Sequence, residues 1–370
     1  MSVNKLIGQH MIIGIAGQTL TPDEKKFILD NNIGGIVLMG RNVSEPKQVH
    51  ALCSEIQALR HKTVDKAPLF IGIDMEGGRV ARLKAPFTQW PPLKSLGDLD
   101  NATVTFHFSN KMGLELQAVG INLDFAPCVD IFSNPANNVI GDRSISSDPE
   151  MVAKHASALV RGYIKSNVIS CAKHFPGHGN TLLDSHEELP VEEADLQRLD
   201  AMELIPFKRS FKARVDMVMT SHILFKNIDP DWPVTLSEVF LKKILREQCR
   251  YRGLIVTDDL DMKAMAKHYD RKAIPVRALQ AGADLLLYCN EPASPPAAIE
   301  GITEAIAQGQ LTKANLEASY KRIMELKKDK IPSPDPMPIN DAMALIGNAD
   351  HVRIAQALAK GEVPAGLIET

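Results

Sequence analysis

At 370 residues the chain is long enough for one large barrel with a tail or for two smaller domains, and either can bury a large core. Hydrophobic residues make up 45% and charged residues 24%, inside the range of globular domains and outside that of disordered chains. A formal net charge of -3 and a pI near 6.4 give no broad basic field, which argues against nucleic acid as a partner.

The first ten residues, Met1 to His10, hold one lysine and no continuous apolar stretch, so no secretory signal is expected. No later run approaches the roughly 18 apolar residues of a membrane helix, and no membrane partner is expected. The cysteines, Cys53, Cys128, Cys171, Cys249 and Cys289, are odd in number and widely spaced, with no C-x-x-C pair. Small buried hydrophobes with reduced thiols, in a cytoplasmic protein, are the expectation.

Along the chain, short runs rich in Val, Ile and Leu alternate with longer amphipathic stretches, as in βα units whose strands are buried on both faces. The predicted strands are Met11–Ile15, Gly35–Met39, Leu69–Asp74, Asn122–Pro127, Val168–His174, Val215–His222, Gly253–Asp258 and Asp284–Cys289. Between and after them lie predicted helices at Pro22–Asn31, Glu45–Arg60, Thr105–Val119, Pro149–Lys165, Glu193–Lys212, Ser237–Cys249, Lys272–Ala281 and Pro295–Gln308. The first opens well, because Thr21-Pro22-Asp23-Glu24 supplies an N-cap, a first-turn proline and acids near the positive helix end.

Parallel strands need crossover helices, and eight such units can close with no edge left open, so the pattern predicts a (β/α)8 TIM barrel. A doubly wound open sheet is the alternative fold. After a charged helix at Thr312–Lys328, the run Ile331-Pro-Ser-Pro-Asp-Pro-Met-Pro338 supports neither helix nor central strand. The expected organisation is a barrel domain over 1–330 and a Pro-rich linker and tail over 331–370, with one amphipathic helix at Asp341–Lys360 packed outside.

In such a barrel the active site lies at the C-terminal ends of the strands, so polar residues just past each apolar run carry most weight. The third strand leads into Asp74-Met-Glu76-Gly-Gly-Arg79-Val-Ala-Arg82, where Glu76 and Arg79 read at least as well as a structural ion pair with each other. The fourth leads through Asp124 and Asp130 to Asp142-Arg143, a step that is often a surface pair, although an arginine fork also suits substrate oxygens. The fifth is richest, Lys173-His-Phe-Pro-Gly-His-Gly179 running on to Asp184-Ser-His186, and three histidines in a Gly/Pro loop have no evident packing purpose. The seventh ends in Thr257-Asp258-Asp259, and because successive side chains face opposite ways, one carboxylate reaches the barrel mouth and the other is a structural partner.

Taken together these segments resemble glycoside hydrolase family 3, in its single-domain bacterial β-N-acetylglucosaminidase branch that acts in peptidoglycan recycling. The resemblance runs from Ile33-Gly-Gly-Ile-Val-Leu-Met-Gly-Arg41 to Ala281-Gly-Ala-Asp-Leu-Leu287, and its most specific motif is the Lys173–Gly179 run with Asp184-Ser-His186. It implies that Asp74, Arg82, Arg143, Lys173 and His174 bind the sugar, that His186 held by Asp184 is the general acid/base, and that Asp258 is the nucleophile. It implies no cofactor and no metal. Asn180 departs from the aspartate that many relatives carry, the tail runs past the expected end, and the chain is too short for the second domain of the β-glucosidase-like branch.

A retaining glycosidase needs one carboxylate at the anomeric carbon and one acid that later acts as base, and Asp258 and His186 supply both. The expected substrate is a small oligosaccharide or muropeptide, and a monomer is expected. With few apolar anchors, the loop after the fifth strand is expected to move, bringing His186 toward Asp258 only when substrate is bound. Two rivals remain: a metal-dependent barrel hydrolase using His174, His178, His186, His222 and Asp258, and a non-catalytic sugar-binding protein with the same pocket.

Overall fold

The computed structural model describes residues 3–367 apart from Leu183 and His186. Eight parallel strands close into a barrel in chain order: Met11–Gly14, Gly35–Leu38, Phe70–Ile73, Leu123–Asp124, Ile169–Phe175, Met217–Thr220, Leu254–Asp259 and Leu285–Tyr288. The ring closes where the first strand pairs with the eighth, Met11 opposite Leu286. The (β/α)8 barrel expected from the sequence is therefore the fold, and the open sheet is not.

Two apolar layers hold it together. Inside the barrel, alternate residues such as Ile12, Val37, Phe70, Ile169, Met217, Val256 and Leu285 form one buried cluster, while intervening residues such as Ile13, Ile36 and Ile71 pack outward against the helices. Gly72 leaves the space this lumen needs, since a Cβ there would meet the Phe125 ring at 2.9 Å. At the N-terminal end the helix Lys313–Lys330 closes the floor: Ile323 joins the inner cluster, and the Lys327 Nζ donates to Gln9 Oε1 and the Gly34 carbonyl, each at 2.8 Å.

Helix Pro22–Asn31 starts as its sequence predicts, with Glu24 N–H donating to Thr21 Oγ1 and the Glu24 carboxylate accepting the Thr21 N–H. Two predicted helices are broken. Glu193–Lys212 is a pair, Leu196–Ala201 and Leu204–Lys212, interrupted at Met202, whose backbone is not helical. The tail likewise forms two helices, Ile339–Leu345 and Ala349–Ala359, because Gly347 turns with φ +60 against the Pro86 carbonyl. Both pack on the helix Ala102–Ala118, where the buried Glu115 accepts from the Gly347 N–H and His351 Nδ1.

Candidate active site

The period-2 alternation that fills the lumen also places the site. Lys173 follows Ile169 and Cys171, and Asp258 follows Leu254 and Val256, so each charged group is the next inward-facing position above an apolar one. The pairing register shifts between Ala172 and Phe175 and again between Val256 and Asp259, irregularities that re-aim side chains where strands meet a site. A short hairpin, Met75–Gly77 with Val80–Ala81, then folds back over the third strand and carries Glu76 and Arg82 to the mouth.

These residues line one cavity of about 530 Å³, into which Asp74, Arg82, Arg143, Lys173, His174, Asp184 and Asp258 all face. Of the site residues expected from the sequence only His186 is missing, and both it and the movement expected of it lie outside the described residues.

An ion-pair lattice forms the floor of the cavity. Lys173 Nζ sits 2.8 Å from Asp74 Oδ1 and 2.7 Å from Glu76 Oε1. Arg143 grips Glu76 with two bonds, Nε to Oε2 at 2.9 Å and Nη2 to Oε1 at 2.8 Å, and Arg82 Nη2 reaches Asp74 Oδ2 at 3.2 Å. Glu76 is 1% exposed; its burial disfavours the carboxylate, but Arg143 and Lys173 outweigh that and hold its pKa well below the usual range. Burial opposes the Lys173 ammonium too, and Asp74 and Glu76 overcome it, raising its pKa. Near neutral pH the lattice is fully charged, with donors already oriented toward the cavity.

This arrangement corrects two sequence expectations. Glu76 and Arg79 do not pair with each other: Arg79 Nε bonds Asp142 Oδ1 at 2.9 Å on the surface, while Glu76 turns inward. Arg143 parts from its neighbour Asp142 in the same way, and Glu76 belongs to the site.

His174 is oriented from behind. Its Nδ1 lies 2.7 Å from Asp130 Oδ2, and its Nε2 lies 3.5 Å from Arg143 Nη2, which can only donate. Asp130 is fully buried and also accepts the backbone N–H groups of His174 and His178, at 3.2 and 2.7 Å. Burial raises its pKa, but His174 and these bonds prevail and bring it down to about 2. Neither Asp130 nor Glu76 stood out in the sequence, because neither continues a strand's inward row.

At the seventh strand the two aspartates divide. Asp258 lines the cavity, and its Oδ1 accepts the Asp259 N–H at 2.8 Å. Asp259 also borders the cavity, yet its Oδ1 accepts the backbone N–H groups of Cys289 and Asp261, each at 3.1 Å. Burial lifts the Asp259 pKa to about 6, despite those backbone bonds.

The donor set of the metal-dependent rival is not assembled among the described residues. His222 is buried with Nδ1 on Thr235 Oγ1 and Nε2 on the Asp259 carbonyl, at 2.7 and 3.0 Å, and both His178 nitrogens face hydroxyl groups. The one close group of ligand types among the described residues, Cys128, Asp130 and His174, is knit by hydrogen bonds, with Nδ1 and Oδ2 only 2.7 Å apart.

Comparison with known proteins agrees with this picture. The model of the Glycosyl hydrolase family 3 N terminal domain matches residues 3–326. A beta-hexosaminidase of Hydrogenovibrio crunogenus is 36% identical over 312 residues, spanning 81% of this chain and 85% of that protein. Among solved structures, a glycoside hydrolase family 3 beta-N-acetylglucosaminidase from Paenibacillus sp. superposes with a TM-score of 0.90 at 33% identity, over 98% of this chain and 69% of that one. NagZ from Neisseria gonorrhoeae, in complex with N-trifluoroacetyl-D-glucosamine, gives 0.78 at 31% identity over 95% and 97% of the two chains. With a family model covering most of its length and the family's barrel beneath a charged cavity, the chain belongs to glycosyl hydrolase family 3 and is a glycoside hydrolase.

Proposed function

We propose that the protein is a retaining exo-β-N-acetylglucosaminidase that releases terminal non-reducing N-acetylglucosamine from β-linked glycans, with peptidoglycan-derived muropeptides as its natural substrates. The observation that carries the reading is the convergence of Asp74, Arg82, Arg143, Lys173, His174 and Asp258 on one cavity. The names of the H. crunogenus and Paenibacillus relatives, and the N-acyl sugar bound to the gonococcal protein, support the substrate class.

In this mechanism Asp74 accepts from sugar hydroxyls, while Lys173, Arg82 and Arg143 donate to sugar oxygens from positions their carboxylate partners already fix. That fixed geometry lowers the reorganisation needed on binding. Asp258 attacks the anomeric carbon and the glycosidic C–O bond breaks, while His186 protonates the departing oxygen. His186 then takes a proton from water, which displaces Asp258 and releases the sugar. Asp184 orients the His186 ring and stabilises its charged form.

Residues 1–330 form the catalytic domain and 331–370 a linker and tail, whose helices Ile339–Leu345 and Ala349–Ala359 pack on the barrel helix Ala102–Ala118. It works in the cytoplasm as a monomer in this reading, and all five cysteines are free, four of them buried, which fits a reducing compartment. Among the described residues no helix is long and apolar enough to cross a membrane. The test is turnover of 4-nitrophenyl β-N-acetylglucosaminide beside the β-glucoside, with and without a chelator. Preference for the N-acetylglucosaminide, unchanged by chelation, is expected; equal or better glucoside turnover defeats the substrate assignment, and a chelation loss restored by zinc revives the metal rival.

A further inference from the structure

The loop after the fifth strand offers few apolar anchors, and Leu182 within it is 74% exposed. Its fixed points are polar, and they meet at His178, a residue the mechanism above leaves without a task. The His178 side chain is buried, with Nδ1 2.8 Å from Thr181 Oγ1 and Nε2 3.1 Å from Ser185 Oγ. Thr181 and Ser185 are themselves buried, and Asp184, which lines the cavity, lies between them in the chain.

The contacts define a tautomer once the Thr181 hydroxyl, 3.0 Å from the His178 carbonyl, gives that acceptor its one proton. Thr181 Oγ1 therefore accepts from Nδ1–H, and also from Asn137 Nδ2 at 3.3 Å. Nε2 is left with its lone pair and accepts the Ser185 hydroxyl proton. Burial and the neighbouring His174 lower the ring's pKa to about 4, which keeps it neutral near pH 7.

The backbone of His178 cannot give way. Its N–H is held by Asp130 at 2.7 Å and its carbonyl by Asn137 Nδ2 at 2.7 Å, and Gly179 packs so close that a Cβ would meet the Ile131 carbonyl oxygen at 1.6 Å. The far anchor is tied as well, since the Ser185 carbonyl accepts the Ala264 N–H beyond the seventh strand.

We propose that His178, as the Nδ1–H tautomer, is a positioning residue for acid/base catalysis: by holding Thr181 and Ser185 it sets Asp184, which lies between them in the chain and lines the cavity. This rests on the acid/base reading given under Proposed function.

A departing sugar needs protonation far more than a dinitrophenolate does, so the test is leaving-group dependence. Single-turnover glycosylation rates are compared on N,N′-diacetylchitobiose and on 2,4-dinitrophenyl β-N-acetylglucosaminide. General acid catalysis contributes about 10²- to 10⁴-fold, so H178A and S185A are each expected to slow the disaccharide about 10- to 100-fold and the dinitrophenyl glycoside less than about threefold. The double variant is expected to add little, and H178Q, whose amide reaches toward the Nε2 position, to recover much of the loss through Ser185.

H186A, measured alongside, separates the two readings. If H186A shows the bias and the His178 and Ser185 variants do not, the proposal is overturned while the acid/base assignment stands. If H186A shows no bias, that assignment falls and the proposal with it. Should H178A fail to fold, S185A and H178Q decide the matter alone: uniform losses on both substrates overturn it.

Discussion

Two lysines are buried in this barrel, one near each end, and they are held in opposite ways. At the mouth, Lys173 lies between Asp74 and Glu76, whose charges overcome its burial and raise its pKa. At the floor, Lys327 donates to the neutral oxygens of Gln9 and Gly34 and faces the Phe70 ring, 4.7 Å from its Nζ, and burial, outweighing the attraction of the Asp65 charge, brings its pKa down to about 7. The same side chain thus serves as a fixed charge where a polar ligand must be gripped and as a plug where the lumen must be closed. What differs is the company: carboxylates at one end, dipoles and a ring at the other.

The largest effect should come from the mouth. Asp258→Ala or Asp258→Asn is expected to lower turnover by several orders of magnitude while sugar binding survives, read by single-turnover kinetics beside ligand titration. Retention of more than about a tenth of the rate would remove Asp258 from the chemistry.

Glu76→Ala sharpens the comparison next, because it leaves Lys173 and Arg143 buried without their shared carboxylate. Removing one partner of a buried pair costs about 3–5 kcal/mol, so a lower denaturation midpoint and weaker sugar binding are expected together. An unchanged midpoint would mean that the lattice is not held as described.

The floor gives the most specific effect, one read as a pH dependence. With a folded pKa near 7 and the ordinary lysine value of 10.5 when unfolded, Lys327 binds fewer protons in the native state across that interval. Its contribution to stability therefore rises from pH 7 to about pH 10, and falls again as the pH drops. Lys327→Met removes the titration, so the stability difference between wild type and variant, from urea midpoints, should shift in favour of wild type as pH rises. A difference independent of pH would mean that Lys327 stays charged in the folded protein.

Strands buried on both faces write themselves as continuous apolar runs, which is why all eight were legible in the sequence, and the residues ending their inward rows, Asp74, Lys173 and Asp258, were legible with them. Glu76 was not, because its partners arrive from the fourth and fifth strands, and sequence proximity suggested Arg79 instead. Asp130 was missed for a similar reason: it acts behind His174, from a chain position that no periodicity singles out. The break in the tail depends on Gly347 meeting Pro86, a contact between segments far apart in the chain. The polar ties of the fifth-strand loop depend on which hydroxyl faces which ring nitrogen, and spacing alone does not give that.

The central claim is that Asp258 forms the covalent glycosyl-enzyme, and a mechanism-based 5-fluoro-N-acetylglucosaminyl fluoride trap, which keeps the 2-acetamido group, followed by peptide mass spectrometry tests it most directly. The account predicts one label per chain, on Asp258. A label on Asp259 or Glu76, or inactivation with no covalent adduct, would contradict it.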